Sequence, residues 1–180
     1  MRVKGLCMTC IMLSLMMFAP VNNNIGMIEA QASATTAKKE EVEPSFSKYW
    51  VQDKDGNWKV KDNNGKIIKN AWLCDDAVKS NGTDVWYLLD KNGNMITAGL
   101  VQDGTGKYYS LETNHNGYYG MLRYKSGQYD GINLMLNDKH EGAFAAIMNK
   151  KGLEGLTEKY GVTKVTIDNS NCVYTSTFEK

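Results

Sequence analysis

Histidine and an excess of charge of one sign are both lacking in this sequence. The 180 residues include only 2 His, and 21 Lys and Arg stand against 20 Asp and Glu, for a net charge of +1. A nearly neutral chain lacks the basic excess that holds nucleic acid or an anionic membrane surface. We therefore expect no nucleic-acid partner, and we expect any partner to be held by local contacts.

Patterns of catalytic and metal-binding residues are lacking as well. His115 lies in a polar turn and His140 in a charged stretch, and no Ser or Cys lies in a nucleophile motif. Residues 53–57 resemble a calcium loop, but their Gly comes too early and Asn64 stands where an EF-hand has Glu. The sequence therefore predicts a protein that is not an enzyme and has no metal site or cofactor. An active site in the C-terminal region is the weaker alternative.

No hydrophobic run is long enough to span a bilayer. The longest, residues 6–19, has 14 residues and ends at Pro20, whereas a transmembrane helix needs about 20. Arg2 and Lys4 precede this run, and small residues around Ala32 offer a cleavage site. We expect residues 1–32 to be a signal peptide and the mature chain, without a transmembrane segment, to be secreted or associated with the cell wall. An uncleaved anchor is the alternative.

The composition divides the rest of the chain into three parts. Residues 33–48 have few apolar side chains and are predicted to be a polar linker. Residues 49–136 carry aromatic repeats, and residues 137–180 are predicted to form a small α/β unit. Two cysteines remain after the signal region, Cys74 and Cys172, and secretion permits a disulfide between them.

The aromatic residues recur at a regular period. Of the 14 Trp and Tyr residues, 12 lie between positions 49 and 129. The copies begin at Trp50, Trp72, Leu100 and Leu122, at intervals of 22, 28 and 22 residues. Extra residues at 75–85 explain the longer interval. Periods of this length are typical of stacked repeats.

Each copy has the pattern of a short β-hairpin. In the first copy, residues 50–52 and 58–60 are strand-like, and Gly56 lies in the turn between them. Gly65 and Gly93 mark the turns that lead to the next copies. Because one hairpin is unstable alone, we expect neighbouring copies to stack their aromatic faces. The predicted fold is mainly β, a solenoid of stacked short hairpins.

The C-terminal region has a different pattern. Residues 151–160 have apolar side chains at helical spacing and are followed by Gly161, a helix stop. Residues 162–167 alternate as a half-buried strand does, and residues 172–178 indicate a second strand. We expect residues 137–180 to cap the exposed end of the stack.

The repeats resemble the choline-binding or cell-wall-binding repeats of Gram-positive bacteria. Trp72, residues 86–87, residues 92–93 and residues 95–99 match the family pattern best, and the resemblance covers about residues 48–131. It implies a left-handed solenoid in which two Trp of one hairpin and a Tyr of the next enclose a quaternary ammonium by cation–π attraction. Related repeats bind glucans by stacking sugar rings on aromatic faces.

The resemblance implies two candidate ligand pockets. They consist of Trp72, Trp86, Tyr109 and Met95 in one case, and of Trp50, Trp58 and Tyr87 in the other. The wall-completing Tyr of the pattern falls on Val60, Leu88 and Ser110, and this departure favours a glycan over choline. The interpretation is a secreted, non-catalytic module that binds cell-wall glycan, teichoic-acid choline or glucan. The alternative is a structural or protein-interaction protein whose aromatic rings only form its core.

Overall fold

The computed structural model describes residues 46–80, 83–138, 144–167 and 171–179. The predicted signal peptide, nearly all of the predicted linker and His140 lie outside these residues. The described elements are β1 (Trp50–Gln52), β2 (Trp58–Val60), β3 (Ala71–Ser80), β4 (Thr83–Leu89), β5 (Leu100–Gln102), β6 (Tyr108–Ser110), β7 (Gly127–Tyr129), β8 (Ile132–Leu134), α1 (Lys150–Tyr160), β9 (Thr163–Lys164), β10 (Cys172–Tyr174) and a 3-10 helix (Thr175–Glu179). They all belong to one compact unit. The fold is mainly β, as predicted.

Four antiparallel hairpins follow one another along the chain: β1–β2, β3–β4, β5–β6 and β7–β8. The strands predicted at 50–52 and 58–60 are confirmed, with Trp50 opposite Val60. The longer interval between the second and third copies belongs to β3 and β4, which extend beyond the other strands and shift register between Asp75 and Lys79.

An aspartate fixes four of the turns in the same way. The acceptors are Asp53, Asp62, Asp90 and Asp103, whose Oδ1 atoms accept the backbone N–H groups two and four residues later at 2.8–3.0 Å. The Gly three residues after each Asp has a φ of 76–86°, which glycine adopts at little cost. Residues 53–57 therefore form a turn of the repeat, which the Asp53 side chain stabilises by accepting backbone N–H groups.

Neighbouring hairpins are joined by one recurring backbone hydrogen bond of 2.8 Å. Its donor and acceptor are Met95 and Trp58, then Leu122 and Trp86, then Ile147 and Tyr108. Leu122 is therefore equivalent to Met95, and the prediction that a copy begins at Leu122 is wrong. The fourth hairpin instead begins with Gly127 and turns at Asp130 and Gly131, whose φ values of 54° and 83° suit a two-residue hairpin loop. The solenoid stays a prediction.

The C-terminal elements lie beside the hairpins. Helix α1 confirms the predicted helix, and Gly161 ends it with a φ of 68°. However, β9 pairs parallel with β5, and β10 pairs parallel with β3. Edge strands leave backbone groups unpaired, and these additions satisfy them. These two strands thus join the sheets of the second and third hairpins, whereas α1 packs against β8 of the fourth hairpin. A cap over the end of the stack stays a prediction.

The two C-terminal strands are also shorter than predicted. The strand expected at 162–167 is limited to Thr163–Lys164, and the one expected at 172–178 ends at Tyr174. The chain then forms the 3-10 helix, which carries Phe178 to within 5.0 Å of the Tyr49 ring, beside the first hairpin. Among the described residues, no helix is long and apolar enough to cross a membrane.

A buried ion network joins the third and fourth hairpins to α1. The Arg123 guanidinium pairs with Glu112 at 3.1 Å and with Asp130 at 2.8 Å. Tyr160 at the end of α1 donates its hydroxyl proton to the same Asp130 carboxylate at 2.8 Å. The guanidinium also lies over the Tyr129 ring, 4.8 Å from the ring centroid. A buried charged contact thus holds the third hairpin, the fourth hairpin and α1 together.

Candidate aromatic binding site

The pocket predicted from Trp50, Trp58 and Tyr87 is assembled from two neighbouring hairpins. Trp50 lies opposite Val60, and Trp58 lies two residues before Val60, so both indoles project from one face of the first hairpin. Tyr87 comes from β4, and its ring meets that of Trp50 edge to face at 4.9 Å. Trp50 and Tyr87 are buried, whereas Trp58 is half-buried. We call these three residues the aromatic cage.

Phe46 lies inside the aromatic cage. Its ring centroid is 4.5 Å from Trp50, 4.6 Å from Trp58 and 5.6 Å from Tyr87. The ring stacks on Trp50 with an interplanar angle of 24°. Sequence reasoning missed Phe46 because it is a lone aromatic residue in a segment whose composition is polar. The one feature of the sequence that could have indicated Phe46 is its position, four residues before the first Trp of the repeats.

A buried carboxylate lies beside the cage. Asp75 accepts the indole N–H of Trp50 at 2.8 Å, the backbone N–H of Ser47 at 3.1 Å and the hydroxyl of Thr175 at 3.2 Å. Burial raises the pKa of Tyr87 well above its usual range, and the negative charge of Asp75 adds to this shift. Asp75 therefore lies near two walls of the cage, and a carboxylate attracts a cation.

The second predicted pocket is only partly assembled. Trp72 and Tyr109 meet edge to face at 5.0 Å, which repeats the contact between Trp50 and Tyr87. Trp86 lies at the same cluster but directs its ring toward Tyr174 of β10 at 5.4 Å. Met95 does not join them, because it packs in the core cluster of the aromatic cage.

The C-terminal region fills the surroundings of this second pocket. Trp72 is 4% exposed and packs in one cluster with Ala145, Ala146 and Ile167. Its buried indole N–H finds no acceptor in the part of the chain that the structure describes. The two equivalent tryptophans thus differ, since Trp50 donates to a carboxylate and Trp72 does not.

The positions predicted for the missing third wall lie in the interior. Val60, Leu88 and Ser110 are each 0% exposed. Their carbonyls accept equivalent backbone hydrogen bonds of 2.8–2.9 Å from Ile68, Ile96 and Arg123. One residue earlier in the pattern, Tyr87 meets the ring of Trp50 and Tyr109 meets the ring of Trp72. The effect of the three interior positions on cation binding stays a prediction.

The register of β10 separates the two cysteines. Cys172 lies opposite Trp72, and Tyr174 lies opposite the buried Cys74. Strand geometry then places the cysteine Cα atoms roughly 8 Å apart on the diagonal, whereas a disulfide spans about 4.4–6.8 Å. The permitted disulfide does not fit this register. Within the described ranges, no group of three acidic, His or Cys side chains is placed to hold a metal ion.

Comparison with known proteins finds similarity only among solved structures. No protein-family model and no curated protein matches the chain. One similar structure is a pneumococcal cell-wall endolysin from phage Cp-1, complexed with choline, which is 24% identical with a TM-score of 0.39. The match covers 62% of this chain and 28% of the endolysin chain. Choline binding protein F from Streptococcus pneumoniae is 26% identical with a TM-score of 0.39, and the match covers 57% of this chain and 28% of that protein.

A third similar structure is a single domain. The choline binding domain of Spr1274 in Streptococcus pneumoniae is 28% identical with a TM-score of 0.37, over 60% of this chain and all of that domain. The chain therefore spans little more than a quarter of the first two proteins. All three of these structures have choline or choline binding in their names.

Proposed function

We propose that this chain is a secreted, non-catalytic binding module that holds a quaternary ammonium group, such as the choline of a cell-wall polymer, in the aromatic cage. The proposal rests chiefly on the space that Phe46 occupies. That space lies 4.5–5.6 Å from three aromatic centroids, within the roughly 6 Å over which a cation is attracted to a ring face.

The shape of the cage favours a compact cation over a sugar. Sugar rings stack on broad, open aromatic faces, whereas the space between Trp50, Trp58 and Tyr87 is about the size of the one Phe46 ring that fills it. A trimethylammonium group is about as compact as the aromatic ring that lies there, and its methyl groups suit apolar walls. The Asp75 carboxyl group lies beside Trp50 and accepts its indole N–H. These features support choline over the glycan that the repeat pattern first suggested.

Calorimetric titration with choline and with 3,3-dimethylbutan-1-ol, its neutral isostere, tests the proposed ligand. We expect choline to bind and the isostere to bind at least tenfold more weakly, because cation–π attraction is worth about 1–2 kcal/mol in a desolvated site. Trp58→Ala should abolish choline binding, and Trp58→Phe should retain part of it. Leu153→Ala, in the core cluster beside α1, is the control for lost stability.

Retention on purified choline-containing cell walls tests the proposed partner. Free choline should elute the protein, and a soluble glucan should not. Elution by glucan alone would instead support a glycan site. Two results together would contradict the proposed function: no retention of the protein on the cell walls, and no choline binding by the Phe46→Ala variant. Interaction with another protein would then be the function left for the repeats.

A further inference from the structure

We propose that Phe46 is a built-in competitor of the ligand, an intramolecular plug that closes the aromatic cage until a ligand displaces it. This inference rests on the proposed function of the cage and adds a means of regulating it. The plug consists of Phe46 and Ser47, which precede the first strand of the first hairpin.

The ring and a ligand cannot share the cage. Phe46 stacks 4.5 Å from Trp50 and lies 4.6 Å from Trp58. These are contact distances for aromatic rings. The space between the two indoles is therefore filled by the Phe46 ring, and a cation enters only when the ring leaves.

The plug is attached in a way that permits release. Phe46 is half-buried and outside any strand, and β1 begins only at Trp50. Besides its ring contacts, the plug is held through Ser47, whose N–H donates to Asp75 at 3.1 Å and whose carbonyl accepts the Trp50 N–H at 3.2 Å. Moving Phe46 out therefore leaves every pair of the β1–β2 register in place.

The chain immediately after the plug is fixed separately. Lys48 pairs with Glu179 at 3.0 Å, and Tyr49 donates its hydroxyl proton to the same carboxylate at 3.1 Å. Tyr49 also packs against Phe178, with ring centroids 5.0 Å apart. These contacts tie residues 48–49 to the C-terminal 3-10 helix. The movement that opens the cage is thus confined to the plug itself.

Removing the plug should strengthen ligand binding. The apparent dissociation constant equals the intrinsic constant divided by the fraction of molecules whose cage is open. If the plugged form makes up about nine-tenths of the molecules or more, Phe46→Ala should tighten choline binding about tenfold or more. Substitutions in a wall have the opposite effect.

Calorimetric titration of the full chain with choline chloride tests the plug. Phe46→Ala should bind choline about tenfold or more tightly than the unaltered protein, while Leu153→Ala should bind as the unaltered protein does. Adding Trp58→Ala to Phe46→Ala should abolish the gain. Equal affinities of the unaltered protein and Phe46→Ala, with both dependent on Trp58, would refute the plug and leave the proposed function intact. Absence of choline binding in Phe46→Ala would refute both.

A second measurement keeps the test independent of the variant's stability. In the unaltered protein, stacking on Trp50 shifts the NMR signals of the Phe46 ring protons upfield. We expect saturation with choline to return these signals to positions typical of a solvent-exposed ring. Signals that stay shifted while choline binds would show that the ring remains in the cage, and the plug would be refuted.

Discussion

Replacing Arg123 with Met tests whether the buried ion network stabilises the junction between the third and fourth hairpins. Arg123 is 3% exposed. Its guanidinium makes ion pairs with Glu112 and Asp130, donates to the Ser110 hydroxyl at 3.2 Å and covers the Tyr129 ring. Met fills a similar volume without charge. The substitution therefore removes the cation and leaves two carboxylates in a mostly buried environment.

The size of the effect follows from that environment. Removing one partner of a buried ion pair costs about 3–5 kcal/mol, because the other charge is left uncompensated. The carboxylate side chains of Glu112 and Asp130 are 12% and 15% exposed, so water reaches them slightly. We therefore expect Arg123→Met to lower the free energy of unfolding by about 3 kcal/mol. For a domain of this size the melting temperature should fall by roughly 10 °C.

Urea unfolding followed by circular dichroism measures this loss. Arg123→Lys should lose less than Arg123→Met, because it keeps the charge but not the planar fork that reaches both carboxylates. Adding Glu112→Gln and Asp130→Asn to Arg123→Met should recover part of the stability, since no buried charge is then left unpaired. A loss below about 1 kcal/mol, or a triple variant no more stable than the single one, would refute the reasoning.

The remaining predictions concern the turns, the tryptophans and the pH dependence of stability. Gly93→Ala should destabilise the protein by about 2 kcal/mol more than Gly65→Ala. Both glycines have a positive φ, but only at Gly93 would the new methyl group lie 2.5 Å from an isoleucine side chain. Equal urea unfolding midpoints for the two variants would contradict this. Trp50→Phe should lower the free energy of unfolding by about 1.5–3 kcal/mol more than Trp72→Phe does, because only Trp50 donates its indole N–H to a carboxylate. Equal losses in the two variants would contradict a stabilising role for that hydrogen bond. Backbone hydrogen bonds lower the pKa of Asp53 to about 2, below its value of about 3.9 in an unfolded chain. The Asp53 carboxylate therefore contributes to stability at neutral pH, and this contribution is lost as the pH falls from about 4 to about 2. Urea titrations across that range should show a shallower decline for Asp53→Asn, and an identical decline would refute the assignment.

Local features of the fold could be predicted because their signals lie within a few residues. The strands at 50–52 and 58–60 follow from aromatic residues on either side of a Gly turn, and α1 follows from apolar spacing and a Gly stop. The start of the fourth hairpin was beyond such reasoning. Once the first Trp of a copy is replaced by Leu, an apolar residue such as Leu122 fits either of two positions in the repeat, and only the hydrogen bonds between hairpins distinguish them.

The three residues of the aromatic cage could be predicted, but Phe46, whose ring lies between them, could not. The resemblance to choline-binding repeats implied a pocket of Trp50, Trp58 and Tyr87, and these three rings surround Phe46. The composition of residues 33–48 gave no reason to place Phe46 among them. The parallel pairing of β9 and β10 also has no local signal, since an edge strand accepts a distant segment through backbone groups that every sequence possesses.

A structure of the Phe46→Ala variant bound to choline tests the central claim most directly. We predict that the trimethylammonium nitrogen lies within about 6 Å of the ring centroids of Trp50, Trp58 and Tyr87, in the space that the Phe46 ring otherwise fills. Choline bound elsewhere on the protein, or a cage that stays empty when choline is saturating, would contradict the assignment of these three residues as a ligand site.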